Sequence, residues 1–342
     1  MAAPSPRRRA RLGALATLIA SVLVALLLAE GVVRLFLPPS GPNPALVSME
    51  GDTDEGPWTG WRLAPNQQTT HQGVEVRTNA WGCRDAEFDP SALAGKRRIL
   101  VTGDSFVYGE GTAQELTLPY ALRAAYAGPY EVLGCGQWGH NTLDSYMLYR
   151  AHLAKLDPAI VLHVFVPNDA ECRLFCTQEV TPPPTGGRSQ IAWERWKGTF
   201  DPWLGSRSRL WQLTTTVVER SLQGDAFQQS LLKSFAPESP GWTQGRRYVL
   251  QYRDLAQANG GRFVVAIFPF MADFQHYPFA AVHRTIRDFC TEHGLTCIDL
   301  LPAFEAAGGS PGSYHANLLN QHPNAEAFAI AARHITRVLP SP

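Results

Sequence analysis

The chain has 342 residues, 45% hydrophobic and 18% charged, which excludes intrinsic disorder and supplies enough apolar material for one large or two ordinary domains. Thirty Lys+Arg balance thirty Asp+Glu, so no net field gathers nucleic acid or holds the whole body on an anionic membrane. The neutral total hides an uneven N-terminus. Arg7, Arg8, Arg9 and Arg11 precede eighteen uncharged residues, Leu12 to Ala29, long enough to span a bilayer as a helix. Glu30 and Arg34 follow at a spacing that pairs them on one helical face, and Pro38-Pro39 ends the segment. The run exceeds a usual signal-peptide core and lacks a small-x-small cleavage site, so it reads as an uncleaved anchor over 12–37. The basic tail at 1–11 places the N-terminus in the cytoplasm and everything after Pro39 on the far side of a single-pass membrane protein.

Residues 38–95 read as a stalk or wrapping extension rich in Pro, Gly, Thr and Asn, with a short strand near 73–79. From Lys96 onward strands and helices alternate. Strands are predicted at 98–102, 130–133, 159–166, 262–268 and 295–300, and helices at 118–127, 142–156, 246–258, 280–292 and 325–338. The uninterrupted apolar run from Ala159 to Val166 suits a strand buried on both faces of a parallel sheet. Together these predict a doubly wound, three-layer α/β/α sandwich. The alternation fails over about seventy residues, at about 172–241, too long for a structureless loop in a compact domain. This insertion carries Trp193, Trp196, Trp203, Trp211 and a helix over about 207–223, and its aromatics either wall a site or pack the insertion itself.

The six cysteines lie beyond the span, in a disulfide-permissive compartment. Sequence proximity pairs Cys290 with Cys297 and Cys172 with Cys176, leaving Cys83 for Cys135; six cysteines allow fifteen pairings, and buried free thiols are the competing reading. The spacings fit no metal motif.

Chemistry gathers at strand ends. The first strand runs into Gly103-Asp104-Ser105, the second into Gly134-Cys-Gly-Gln-Trp-Gly139, the third into Val166-Pro167-Asn168-Asp169, and His322-Pro323-Asn324 opens the last helix. In an open parallel sheet ligands bind beyond the carboxyl ends of the strands. Each block alone is ordinary turn composition. The four in this order, with the anchor and the Asn79-Ala-Trp-Gly-Cys-Arg84-Asp85 segment before them, resemble the SGNH hydrolases, also called the GDSL esterase and lipase family, in their membrane-anchored bacterial form. The resemblance covers roughly 96–339 with the insertion as a gap, and it implies an SGNH-hydrolase, flavodoxin-like fold.

It also implies roles. Ser105 is the expected nucleophile and His322 its base, with the Ser105 and Gly139 backbone N–H groups and the Asn168 amide forming the oxyanion hole. The family's usual Asp three residues before the histidine is replaced by Leu319, so Asn320 or a backbone carbonyl is left to orient the ring, with Asp299 a distant candidate; His315 reads as a loop residue. The family's glycine before Asn-Asp is Val166 here. The resulting expectation is an extracytoplasmic serine esterase acting on a small acyl ester, of acetyl type, carried by a cell-envelope carbohydrate. Acyl transfer to a carbohydrate hydroxyl through the same Ser and His is one alternative, and a non-catalytic envelope-binding module is another. No cofactor, metal or nucleic acid is called for.

Overall fold

The structure is a computed structural model of the full chain, described for residues 6–37, 46–49, 60–89, 95–126, 130–170, 188–205, 207–223, 226–310, 312–318 and 320–339. In chain order it contains helix α1 (Pro6–Phe36), then four short strands, β1 (Val47–Met49), β2 (Trp61–Leu63), β3 (Gln68–His71) and β4 (Val74–Arg77). Strand β5 (Arg97–Gly103), helices α2 (Ser105–Tyr108) and α3 (Leu118–Ala125), strand β6 (Tyr130–Gly136), helix α4 (Thr142–Ala151) and strand β7 (Ile160–Phe165) follow. Next come α5 (Arg188–Leu204), α6 (Arg209–Gln223), α7 (Ala226–Ser234) and α8 (Pro240–Ala258). The chain closes with β8 (Arg262–Ile267), α9 (Ala280–Glu292), β9 (Thr296–Asp299), α10 (Leu301–Ala307) and α11 (Ala325–Val338). Two compact units result: 1–41 with 186–223, and 42–185 with 224–342.

The larger unit is built on a five-stranded, all-parallel sheet in the order β6-β5-β7-β8-β9. Every residue of β7 is buried, as a central strand covered on both faces requires. Helix α11 packs on α3, and α4 packs on α8. Because β5 sends the chain to β6 on one side and has β7 on the other, the crevice at its carboxyl end is the topological switch point where open α/β sheets bind ligands.

The elements differ from the sequence reading where local caps intervene. The helix predicted to run to 156 stops at Ala151 and continues as a 3₁₀ turn, Leu153–Leu156. Helix α8 starts at Pro240, six residues before Arg246, because Pro is favoured in a first helical turn. The extension wraps the body: β3 and β4 form an antiparallel hairpin, and Leu46, Leu63 and Val76 bury against Tyr108. Cys83–Cys135 and Cys290–Cys297 are disulfides; the pairing of Cys172 with Cys176 lies outside the described residues, as does Leu319.

In the smaller unit α5 and α6 pack through an aromatic ladder. Trp196 stacks on Trp193 at 5.1 Å and on Trp211 at 5.0 Å, and Trp211 Nε1 donates to Asp201 Oδ1 at 2.7 Å. Three of the four insertion tryptophans therefore pack the insertion itself. Helix α1 carries one stretch, Gly13–Phe36, long and apolar enough to cross a membrane.

Candidate active site

Strand β5 delivers the chain to Asp104, whose carboxylate caps α2 by accepting the Phe106 N–H at 2.8 Å. That cap turns the chain directly from strand to helix and leaves Ser105 at the bend. Strand β6 approaches from the side, and Gly136 makes the approach possible: a Cβ there would stand 2.2 Å from the Tyr108 nitrogen. The following turn carries Gly139 at φ 73, a left-handed conformation that favours glycine. Strand β7 ends at Phe165 and leads through Pro167 into Asn168, in a 3₁₀ turn. Asn324 caps α11 by accepting from the Ala327 N–H, and its amide ties back to the Ser313 and His315 carbonyls. His322 lies two residues before that cap.

The four strand-end blocks thus meet. His322 Nε2 lies 2.8 Å from Ser105 Oγ, and His322 Nδ1 lies 2.6 Å from Asn320 Oδ1. Because an amide oxygen only accepts, Nδ1 carries the proton and the Nε2 lone pair faces the serine hydroxyl. Asn320 is itself fixed: its Nδ2 reaches the Glu110 carbonyl at 3.4 Å, and its N–H donates to Asn317 Oδ1 at 3.0 Å. Burial holds the imidazole down to about 4, so it is neutral at physiological pH and its Nε2 lone pair is unprotonated. The Asn168 amide makes one long bond, to Asp104 Oδ2 at 3.4 Å, and its Oδ1 has no partner among the described residues.

Asp299 is not the orienting acid. Its carboxylate accepts from His283 Nδ1 at 2.7 Å and Arg287 Nη1 at 3.0 Å at the other edge of the sheet. His315 Nε2 bonds the Met271 carbonyl at 2.9 Å and belongs to the loop's own scaffold.

Three side chains at or beside the site are not legible in the sequence. Glu110 places Oε2 3.8 Å from His322 Nε2, and burial together with the nearby Asp104 charge raises its carboxyl to about 7. An acid between two loop glycines carries no compositional signal. Arg84 buries its guanidinium beneath the loop after Ser105, where Nη1 donates to the Tyr108 and Gly109 carbonyls and Nη2 to the Thr112 carbonyl, each at 2.8 Å. Its signal was the Cys-Arg-Asp segment itself. His163 sits inside the sheet between Thr102 and Thr142, and Thr142 in turn donates to Asp169 at 3.1 Å, so this buried network ties the Asn168 block to β5 and α4. Burial alone pushes His163 to about 3, so it stays neutral.

No family model matches the chain, and no curated protein does. Among solved structures it is similar to a member of the lipolytic protein G-D-S-L family from Veillonella parvula, at 12% identity and TM-score 0.42 over 72% of this chain and 100% of that one. TesA is similar at 14% identity and TM-score 0.44, over 71% and 98%. A catalytic mutant of Axe2, an acetylxylan esterase from Geobacillus stearothermophilus, is similar at 14% identity and TM-score 0.39, over 73% and 97%. At these identities and scores the likeness assigns no residue a role.

Proposed function

We propose that the chain is a serine ester hydrolase of SGNH type. The observation that carries this reading is the Asn320–His322–Ser105 relay, with both bonds short and the acceptor on Nδ1. In this reading Nε2 takes the Ser105 proton as Oγ attacks the ester carbonyl, and returns it to the leaving alcohol as the tetrahedral intermediate collapses. Negative charge on the former carbonyl oxygen is met by the Ser105 and Gly139 backbone N–H groups and by Asn168 Nδ2, each such donor contributing about 10²–10³ in rate. Water, deprotonated by the same imidazole, then releases the acyl group. Glu110 stands beside the imidazolium that both steps create, and there its carboxylate stabilises the positive charge in place of an acid at Nδ1.

The acyl group in this reading is short. Glu110 and Asn320 lie against His322 and Asp104 precedes Ser105, while Phe106 packs edge-on to the imidazole at 5.5 Å; the polar groups of this mixed border suit a hydroxyl-rich alcohol, and in this reading the acyl group is acetyl-like. The span at 13–36 and two disulfides support a membrane-anchored body in an oxidising compartment outside the cytoplasm.

The test is hydrolysis of an aryl acetate and labelling by a fluorophosphonate, measured for the wild type, Ser105→Ala and His322→Ala. Both signals are expected to disappear in Ser105→Ala and to fall about 10⁴-fold or more in His322→Ala. A wild type that neither hydrolyses nor labels, with or without an oligosaccharide acceptor, would refute the reading.

A further inference from the structure

In α1 the described side chains from Gly13 to Leu28 are all exposed; Ala29, Glu30 and Val33 are half-buried, and Leu37 is buried. Only the last turns of the helix are covered, and what covers them is the insertion. The Glu30 carboxylate accepts the backbone N–H groups of Arg209 and Leu210, each at 2.9 Å, and the Ser208 hydroxyl at 2.7 Å. Ser208 caps α6 by accepting the Trp211 N–H at 3.0 Å, and Glu30 satisfies the two orphan donors before it from another part of the chain, with its charge at the positive end of the helix dipole. Arg34 completes the joint, donating to Glu30 at 2.6 Å and to the Arg207 carbonyl at 2.5 Å. Helix α5 is fixed to α6 by the tryptophan ladder and by Lys197–Glu219 at 2.6 Å.

The joint stands at a definite depth. From Leu12 to Ala29 is eighteen residues, about 27 Å of helix, close to the ~30 Å hydrocarbon core of a bilayer. Glu30 then falls at the outer boundary of the hydrocarbon. Leu35 and Phe36, just beyond it, are 80% and 76% exposed, and Trp203, in the last turn of α5, is 70% exposed. Aromatic side chains with one polar edge settle in the headgroup layer of a membrane.

We infer that α5 and α6 form a collar on the outer end of the anchor, with Trp203, Leu35 and Phe36 seated in the headgroup layer of the bilayer that α1 spans. The inference rests on α1 being a retained span. The occupant is lipid, because Leu35 and Phe36 continue, on the same helix, the exposed apolar surface of the span itself.

The test uses the full-length chain in phosphatidylcholine vesicles carrying bromine either high or low on the acyl chain, and compares wild type, Trp203→Phe and Glu30→Ala. High bromine is expected to quench more tryptophan emission than low bromine. Trp203→Phe should lose part of that quenching, and Glu30→Ala should lose it while esterase activity stays at the wild-type level. Quenching unchanged in Trp203→Phe, in a chain that resists alkaline extraction and retains its N-terminus, overturns the collar and leaves the anchor standing. Crosslinking of Trp203→Cys to a second copy without bromolipid quenching overturns it equally. Extraction by alkali, or an N-terminus beyond Phe36, overturns the anchor and the collar together.

Discussion

Asn320 sets the character of the site. An amide oxygen at 2.6 Å from Nδ1 fixes the tautomer as a carboxylate does, but brings no charge to stabilise the imidazolium. Asn320→Ala is expected to lower kcat by roughly 10²-fold with little change in KM, since it frees the ring without touching the substrate; steady-state kinetics on an aryl acetate checks this. Glu110 supplies the charge from the opposite side, and its ionisation has two signs to work out. For activity, the carboxylate forms as pH rises through about 7, so wild-type kcat should climb across that pH and Glu110→Gln should lose the climb. For stability, the folded-state value lies above the ordinary 4.5, so the folded state holds the proton more tightly. Stability is full below 4.5, falls as pH rises and is lost in full above about 7, with an upper bound near 3 kcal/mol. Glu110→Gln should accordingly raise the melting temperature by a few degrees at pH 8 and leave it unchanged at pH 4, an outcome read by calorimetry at the two pH values. The residue that aids turnover would thus be the one that strains the fold.

Between the catalytic elements, the bond that matters most is one made by the extension. Arg84 donates to three loop carbonyls, those of Tyr108, Gly109 and Thr112, and Asp85 receives Arg123 at 2.8 Å and the Gly134 N–H at 2.7 Å. The two adjacent residues fasten the nucleophile's loop and strand β6 to one segment. Cys83–Cys135 repeats the connection covalently across 52 positions, against 7 for Cys290–Cys297. Loop-closure entropy gives about 4 kcal/mol for the first and about 2.5 for the second. Replacing Cys83 and Cys135 by Ser should therefore lower the denaturant midpoint more than the same change at Cys290 and Cys297, and raise the m-value more, because release of the longer crosslink lets the unfolded chain expand further.

Across the molecule, the central sheet was legible because its signal is local: apolar runs such as Ile160 to Phe165 carry the period of a buried strand, and Asn141 and Asn324 mark helix starts by the caps they form. Ser105, Gly139, Asn168 and His322 were legible as expectations through their order along the chain, and the structure brings Ser105 and His322 into contact. Glu110 and Arg84 were not, since a lone acid in a glycine turn and an arginine beside a cysteine acquire meaning only from neighbours 210 to 25 positions away, as the Asn320–Glu110 and Arg84–Gly109 bonds show. The partnership of α1 with the insertion was equally hidden: Glu30 reads as half of an i,i+4 pair with Arg34, and nothing local foretells that it also holds the first turn of a helix 179 residues on.

The Cys83–Cys135 bond also draws a topological boundary. It closes the chain into a covalent ring that contains Ser105 and Glu110, while Asn168, Asn320 and His322 reach the same centre from outside it. A single backbone break anywhere within that ring leaves one molecule, with the nucleophile still tethered through the disulfide. A break between β7 and α11, beyond the reach of this bond, can instead part His322 from Ser105, so proteolysis at different points should disrupt the proposed site by different routes.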